Sequence, residues 1–184
     1  MTNEIIIAGF GGQGVLSMGK ILAYSGLMEG KEVSWFPSYG PEQRGGTSNV
    51  TVILSDTLIS SPVVNEYDIA IILNQPSLEK FEKMVKSGGI LIYDPEGIPY
   101  PPQRKDIFIY KIDAMAKASE MNNLKAFNMI VLGGLLKAHP IVSLEHVMQG
   151  LKKTLPIRHH ATLPQNEEAI LKGMEIVEMV NEPN

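Results

Sequence analysis

The sequence predicts an α/β chain: a three-layer α/β/α, Rossmann-like domain with a mostly parallel, mixed sheet and a helical C-terminal third. Three observations carry this reading. Short apolar runs without alternation, of the kind that form strands buried on both faces, recur along the first two thirds. Amphipathic helical stretches separate them. A glycine-bearing turn, Gly9-Phe10-Gly11-Gly12-Gln13-Gly14, joins the first run to the first helix.

The runs are Ile5 to Ala8, Ile69 to Leu73 and Ile90 to Tyr93, with a fourth, Ile107 to Tyr110, bordered by more polar sequence. Between them, Val15, Met18, Ile21 and Leu22 form a helical stripe that Gly30 is placed to end as a C-terminal cap. Pro76-Ser77-Leu78 opens a second helix, with Phe81, Met84 and Val85 on one side. Ser48 to Leu54 differs, because Val50, Val52 and Leu54 alternate with Asn49, Thr51 and Ile53. That pattern predicts a strand covered mainly on one side, antiparallel or at an edge. The last third reads as helices over 114–121, 124–138, 143–155 and 164–180, with Ser143 capping the third. The proline-rich Ile98 to Pro102 must be a loop.

The 184 residues suit a single domain spanning 1–184 with a full two-sided core. Composition is that of a globular protein, with 44% hydrophobic residues, 20% charged and a mean hydropathy of +0.02. A net charge of −4 without a Lys/Arg cluster argues against nucleic acid, which demands a basic footprint. No run approaches the ~20 apolar residues of a membrane span. The start Met1-Thr2-Asn3-Glu4 lacks the basic flank of a signal peptide, so a cytoplasmic protein is expected. There is no cysteine, hence no disulfide and no thiolate-held iron–sulfur cluster.

Gly9, Gly11 and Gly14 satisfy the G-x-G-x-x-G spacing of a dinucleotide site. The turn lets a ligand approach the backbone, and helix-start amides attract anions. The rest of that fingerprint is missing. An acid should end the second strand and meet the ribose hydroxyls, yet in Glu32-Val33-Ser34-Trp35-Phe36 the acid stands at the strand's start. Close packing, or a non-nucleotide anion site over Gly11, Gly12, Gln13 and Gly14, is the better reading than bound NAD(P). A second loop, Ser38-Tyr39-Gly40-Pro41-Glu42-Gln43-Arg44-Gly45-Gly46, gathers an aromatic ring, a carboxylate and a guanidinium flanked by glycines. If the first two strands are neighbours, both loops leave the sheet at one edge and form one surface.

These residues carry a resemblance. Gly-Phe-Gly-Gly-Gln-Gly-Val at 9–15, together with the loop at 38–46, resembles the gamma subunit of 2-oxoacid:ferredoxin oxidoreductases and the equivalent domain of single-chain pyruvate:ferredoxin oxidoreductases. Asn128 to Gly133, and Asn166 through Ala169 to Gly173, are similar as well. The resemblance implies one subunit of a complex that decarboxylates a 2-oxoacid, 2-oxoglutarate above pyruvate, on thiamine diphosphate. The acyl group passes to coenzyme A and the electrons to ferredoxin. It implies alpha, beta and delta partner subunits that hold the thiamine diphosphate, Mg and iron–sulfur clusters, with no catalytic residue on this chain. The thiamine signature, Gly-Asp-Gly followed by Asn-Asn, is absent: Asn122-Asn123 has no Gly-Asp-Gly before it.

On this reading Gly11, Gly12, Gln13 and Gly14 face an anion, coenzyme A or an interface. Ser38, Tyr39, Gly40, Pro41, Glu42, Arg44, Gly45 and Gly46 face the partner or active site. The isolated chain is expected to be inactive and able to self-associate. Two other readings stay open: a free-standing NAD(P)-dependent enzyme, and a module binding coenzyme A or another small molecule. Arg158-His159-His160 reads as a surface or interface turn rather than a metal site, because adjacent histidines point apart. Asp94 and Glu96 either end their strand with turn chemistry or lie at a ligand edge.

Overall fold

The computed structural model describes residues 1–39 and 47–183. In chain order these form β1 (Thr2–Phe10), α1 (Val15–Met28), β2 (Glu32–Tyr39), β3 (Thr47–Ser55), β4 (Tyr67–Ile72), α2 (Gln75–Phe81), β5 (Val85–Tyr93), β6 (Phe108–Lys111), α3 (Ala114–Glu120), α4 (Phe127–Ala138), α5 (Leu144–Thr154), α6 (Leu163–Ile176) and β7 (Glu178–Asn181). One mixed sheet runs in the order β2-β3-β1-β4-β5-β6-β7. β1, β4, β5 and β6 pair in parallel, whereas β3 is antiparallel to both β1 and β2, and β7 is antiparallel to β6. β2 therefore points the same way as β1.

The apolar runs become the parallel strands because a central strand has no polar side. Ile5, Ile6 and Ile7 are all fully buried, the odd pair under one layer and Ile6 under the other. The two layers are unequal. α1, α3, α4, α5 and α6 cover one face, over Ile5, Val52, Ile69 and Ile92. On the other face, Leu78 and Phe81 of α2, with Ile98 and Ile107 from the loop beyond β5, pack over Ile6, Ile72 and Leu91.

α1 ends as its sequence predicts. Gly30 takes a left-handed φ of 77°, its N–H donates to the Leu27 carbonyl, and the Lys31 N–H reaches back to Gly26, which together satisfy the last carbonyls of the helix. Ser143 caps α5 by accepting from the His146 N–H at 3.2 Å.

Four expectations change. β3 is antiparallel but lies inside the sheet with both faces buried: Val50, Val52 and Leu54 on one side, Thr51 and Ile53 on the other. Its alternation arises because the second face packs through Thr51, near Tyr67, as well as through apolar groups. The first two strands are not neighbours, since β3 returns between them. The second helix stops at Phe81, a 3₁₀ turn follows over Glu82–Met84, and Val85 already begins β5. The final helix ends at Ile176, and the stretch to Asn181 becomes the edge strand β7 rather than further helical turns.

Candidate functional site

Sheet direction on either side of β1 decides where a site can form. The chain passes from β1 towards β2 and β3 on one side, and β4 to β6 lie on the other. A crevice therefore opens at the carboxyl ends of β1 and β4, the usual place for ligands in such sheets. The turn from Gly9 to Gly14 sits there. Pairing of Phe10 with Thr47, and of Tyr39 with Ser48, brings both ends of the second loop to the same edge. The shared edge arises through the interposed β3 and not by direct contact of the first two strands. Ser38 is exposed there, and the backbone of Tyr39 closes β2. Gly40, Pro41, Glu42, Arg44, Gly45 and Gly46 lie outside the described residues.

Gln13 organises the crevice. Its Oε1 accepts the Phe10 N–H at 2.6 Å and its Nε2 donates to the Leu73 carbonyl at 3.1 Å, so one amide ties the β1 turn to the end of β4. Gly9 makes this possible, since a Cβ there would stand 2.5 Å from Gln13 Oε1 and 3.0 Å from Leu73 Cβ. Gly11 and Gly12 are exposed, and Gly12 turns with φ 97° into open space. Gly14, at φ 75°, starts α1, and a Cβ on it would press on the Asn128 side chain from α4. Gly9 and Gly14 of the nucleotide-type spacing thus serve packing: Gln13 occupies the gap between β1 and β4, and Asn128 crowds the helix start. Glu32 pairs with Ser55 at the opposite end of the sheet, far from any ribose in this crevice.

Two hollows flank Gln13, sharing Met115 and Phe127 as walls. One, about 250 Å³, is lined by Gly12, Gly14, Lys125 and Asn128. The other, about 180 Å³, is lined by Leu73, Asp94, Glu96 and Gly97. Asp94 follows β5 and is only 2% exposed. Its Oδ1 accepts the Glu96 N–H and its Oδ2 the Met115 N–H, both at 2.8 Å. Burial raises its carboxyl above the ordinary carboxylate range, the charge of Glu96 pushes the same way, and the backbone donors oppose them. The turn chemistry expected of Asp94 is realised, and the residue also lines this hollow at the carboxyl edge of the sheet. Lys125 carried no sign of a place at this crevice and Asn128 only its part in the resemblance, because the start of α4 and the turn before it arrive from a distant part of the chain.

Other clusters are structural. Ser143 Oγ lies 2.8 Å and Glu29 Oε1 3.1 Å from the same His146 Nδ1, so no serine–histidine–acid relay can run through that ring. His160 reaches the Leu155 carbonyl while Arg158 donates to His159. Among the described residues no three His, Cys, Asp or Glu side chains converge to hold a metal ion, and no helix is long and apolar enough to cross a membrane.

The family model for pyruvate ferredoxin/flavodoxin oxidoreductase matches residues 4–176. The chain belongs to that family. Among relatives of this oxidoreductase unit, the 2-oxoglutarate synthase subunit KorC of Methanocaldococcus jannaschii is 35% identical over 179 residues, covering 96% of this chain and 94% of the relative. The ketoisovalerate oxidoreductase subunit VorA of Methanothermobacter marburgensis is 42% identical over 130 residues, 71% of this chain. The chain spans only 27% of VorA. Among solved structures, the keto/oxoacid ferredoxin oxidoreductase gamma subunit of Geobacter sulfurreducens superposes with a TM-score of 0.82 at 26% identity, covering 96% of both chains. The 2-oxoglutarate:ferredoxin oxidoreductase of Magnetococcus marinus, determined with 2-oxoglutarate, coenzyme A and succinyl-CoA bound, matches with a TM-score of 0.85 at 26% identity. There the match covers 95% of this chain and 30% of the longer one.

Proposed function

We propose that this chain is the gamma-type subunit of a 2-oxoacid:ferredoxin oxidoreductase acting on 2-oxoglutarate, and that it docks on its alpha, beta and delta partners through the carboxyl edge of the sheet. The observation that carries this is the end-to-end likeness to KorC, a subunit of nearly the same length. The carboxyl edge supports it too: a crevice bridged by an amide and walled by packing residues suits a contact surface better than a reaction centre. On this reading the thiamine diphosphate, Mg and iron–sulfur clusters belong to the partners, in keeping with a chain that contains no cysteine. The exposed turn at Gly11 and Gly12, with Ser38 and the loop carrying Arg44, faces the coenzyme A side of the assembled site. The complex works in the cytoplasm.

Reconstitution tests this. The isolated chain is expected to reduce no ferredoxin, and its addition to the partner subunits to restore ferredoxin reduction that requires both 2-oxoglutarate and coenzyme A. Full activity without the chain defeats the subunit assignment. Faster turnover of pyruvate or 2-oxoisovalerate defeats only the choice of substrate.

A further inference from the structure

We propose that the 180 Å³ hollow between Asp94 and Phe127 is a socket for one basic side chain, a lysine or arginine, of a partner subunit docked on this edge; the inference rests on the subunit reading above. The carboxylate is 2% exposed and pinned by two backbone N–H groups, so its position is set before any partner arrives. Those bonds use about half of its lone-pair sites. The strongest side-chain charge acting on it is that of Glu96, which is also negative. A cation entering here would meet two acids, of which one is already desolvated by the fold.

The other walls match the rest of such a side chain. Leu73, Met115 and Phe127 are apolar and suit the methylene stem that lysine and arginine bury while keeping the charged head at a polar group. The Gln13 amide closes one wall. The hollow is smaller than the roughly 300–1,000 Å³ typical of small-molecule sites, which favours one side chain over a free cofactor.

The test compares wild type and Asp94→Asn in assembly with the full set of partner subunits, titrated at several salt concentrations. The melting temperature of each isolated chain controls for folding. The expected result is a variant that stays folded but melts a few degrees below wild type, because an amide keeps an acceptor for only one of the two backbone N–H groups. It assembles about thirtyfold more weakly, with a shallower salt dependence, as loss of one partner of a buried charge pair requires. A variant equal to wild type in affinity and salt slope overturns the socket alone. A loss accounted for by unfolding of the isolated variant also overturns it. An effect that disappears in an Arg44→Ala background overturns it as well, because it gives the hollow to this chain's own guanidinium. A wild-type chain that does not assemble overturns the subunit reading and the socket with it.

Discussion

At Asp94 and Asp106, two carboxylates respond to acid in opposite senses. Burial raises Asp94, so the folded state holds that proton more tightly than the unfolded chain does. Its contribution to stability is complete below the ordinary carboxylate pKa of about 3.9 and is lost as pH rises through the raised value. Asp106 is held down to about 2 by its hydrogen bonds to Arg104, which also donates to the Glu82 and Val85 carbonyls and so clamps the loop before β6 to the start of β5. Its contribution is present above about 3.9 and is lost as pH falls towards 2. Thermal melts between pH 2 and 7 are expected to show Asp94→Asn removing the loss on the rising side while leaving the acid limb. At Gln13, truncation to Ala leaves the Phe10 N–H without its side-chain acceptor and frees the Leu73 carbonyl. A loss of about 1–3 kcal/mol is expected in urea unfolding. The glycines around Gln13 were legible as a turn, but their purpose was not. Leu73 stands 60 residues beyond Gln13, and Asn128 belongs to α4, so only the folded chain brings either of them to the turn.

Between helices, the closest contact is the crossing of α4 and α6. Gly133 and Gly173 each face a backbone carbonyl of the other helix, that of Ile170 and Ile130 in turn, and neither site has room for a methyl group. Rigid backbone cannot yield as a flexible side chain does. Gly173→Ala is therefore expected to cost about 3 kcal/mol and to lower the melting temperature by roughly 6–12 °C. Gly30→Ala is the contrasting case. It has open space but a φ of 77°, so strain alone sets a loss of about 1 kcal/mol, readable in the same melts. Helix α1 and the parallel strands could be read from local pattern, because periodicity and capping act within one turn or one strand. The strand β7 could not be. Glu178 to Asn181 continues a helical-looking segment, and it extends because β6 offers a free edge, with Tyr110 beside Met179 and Asn181 Nδ2 donating to the Ile107 carbonyl.

For the molecule as a whole, the dinucleotide and subunit readings separate by calorimetry. With Gln13 bridging the crevice and no acid among the described residues at the carboxyl end of β2, NAD(H) and NADP(H) are expected to bind the isolated chain more weakly than about 1 mM, a free energy no larger than about 4 kcal/mol. Micromolar binding would restore the free-standing enzyme. By itself the sequence determined the α/β class, the absence of thiolate ligands, the turn at Gly9 to Gly14 and the family resemblance, since each depends on residue type or short spacing. Only the tertiary structure decided that β3 lies between β1 and β2, that α1, α3, α4, α5 and α6 crowd one face, and that Asp94, Gln13 and Phe127 line one hollow. Strand order and convergence depend on pairings between distant residues, and their free energy is realised only when the whole sheet closes.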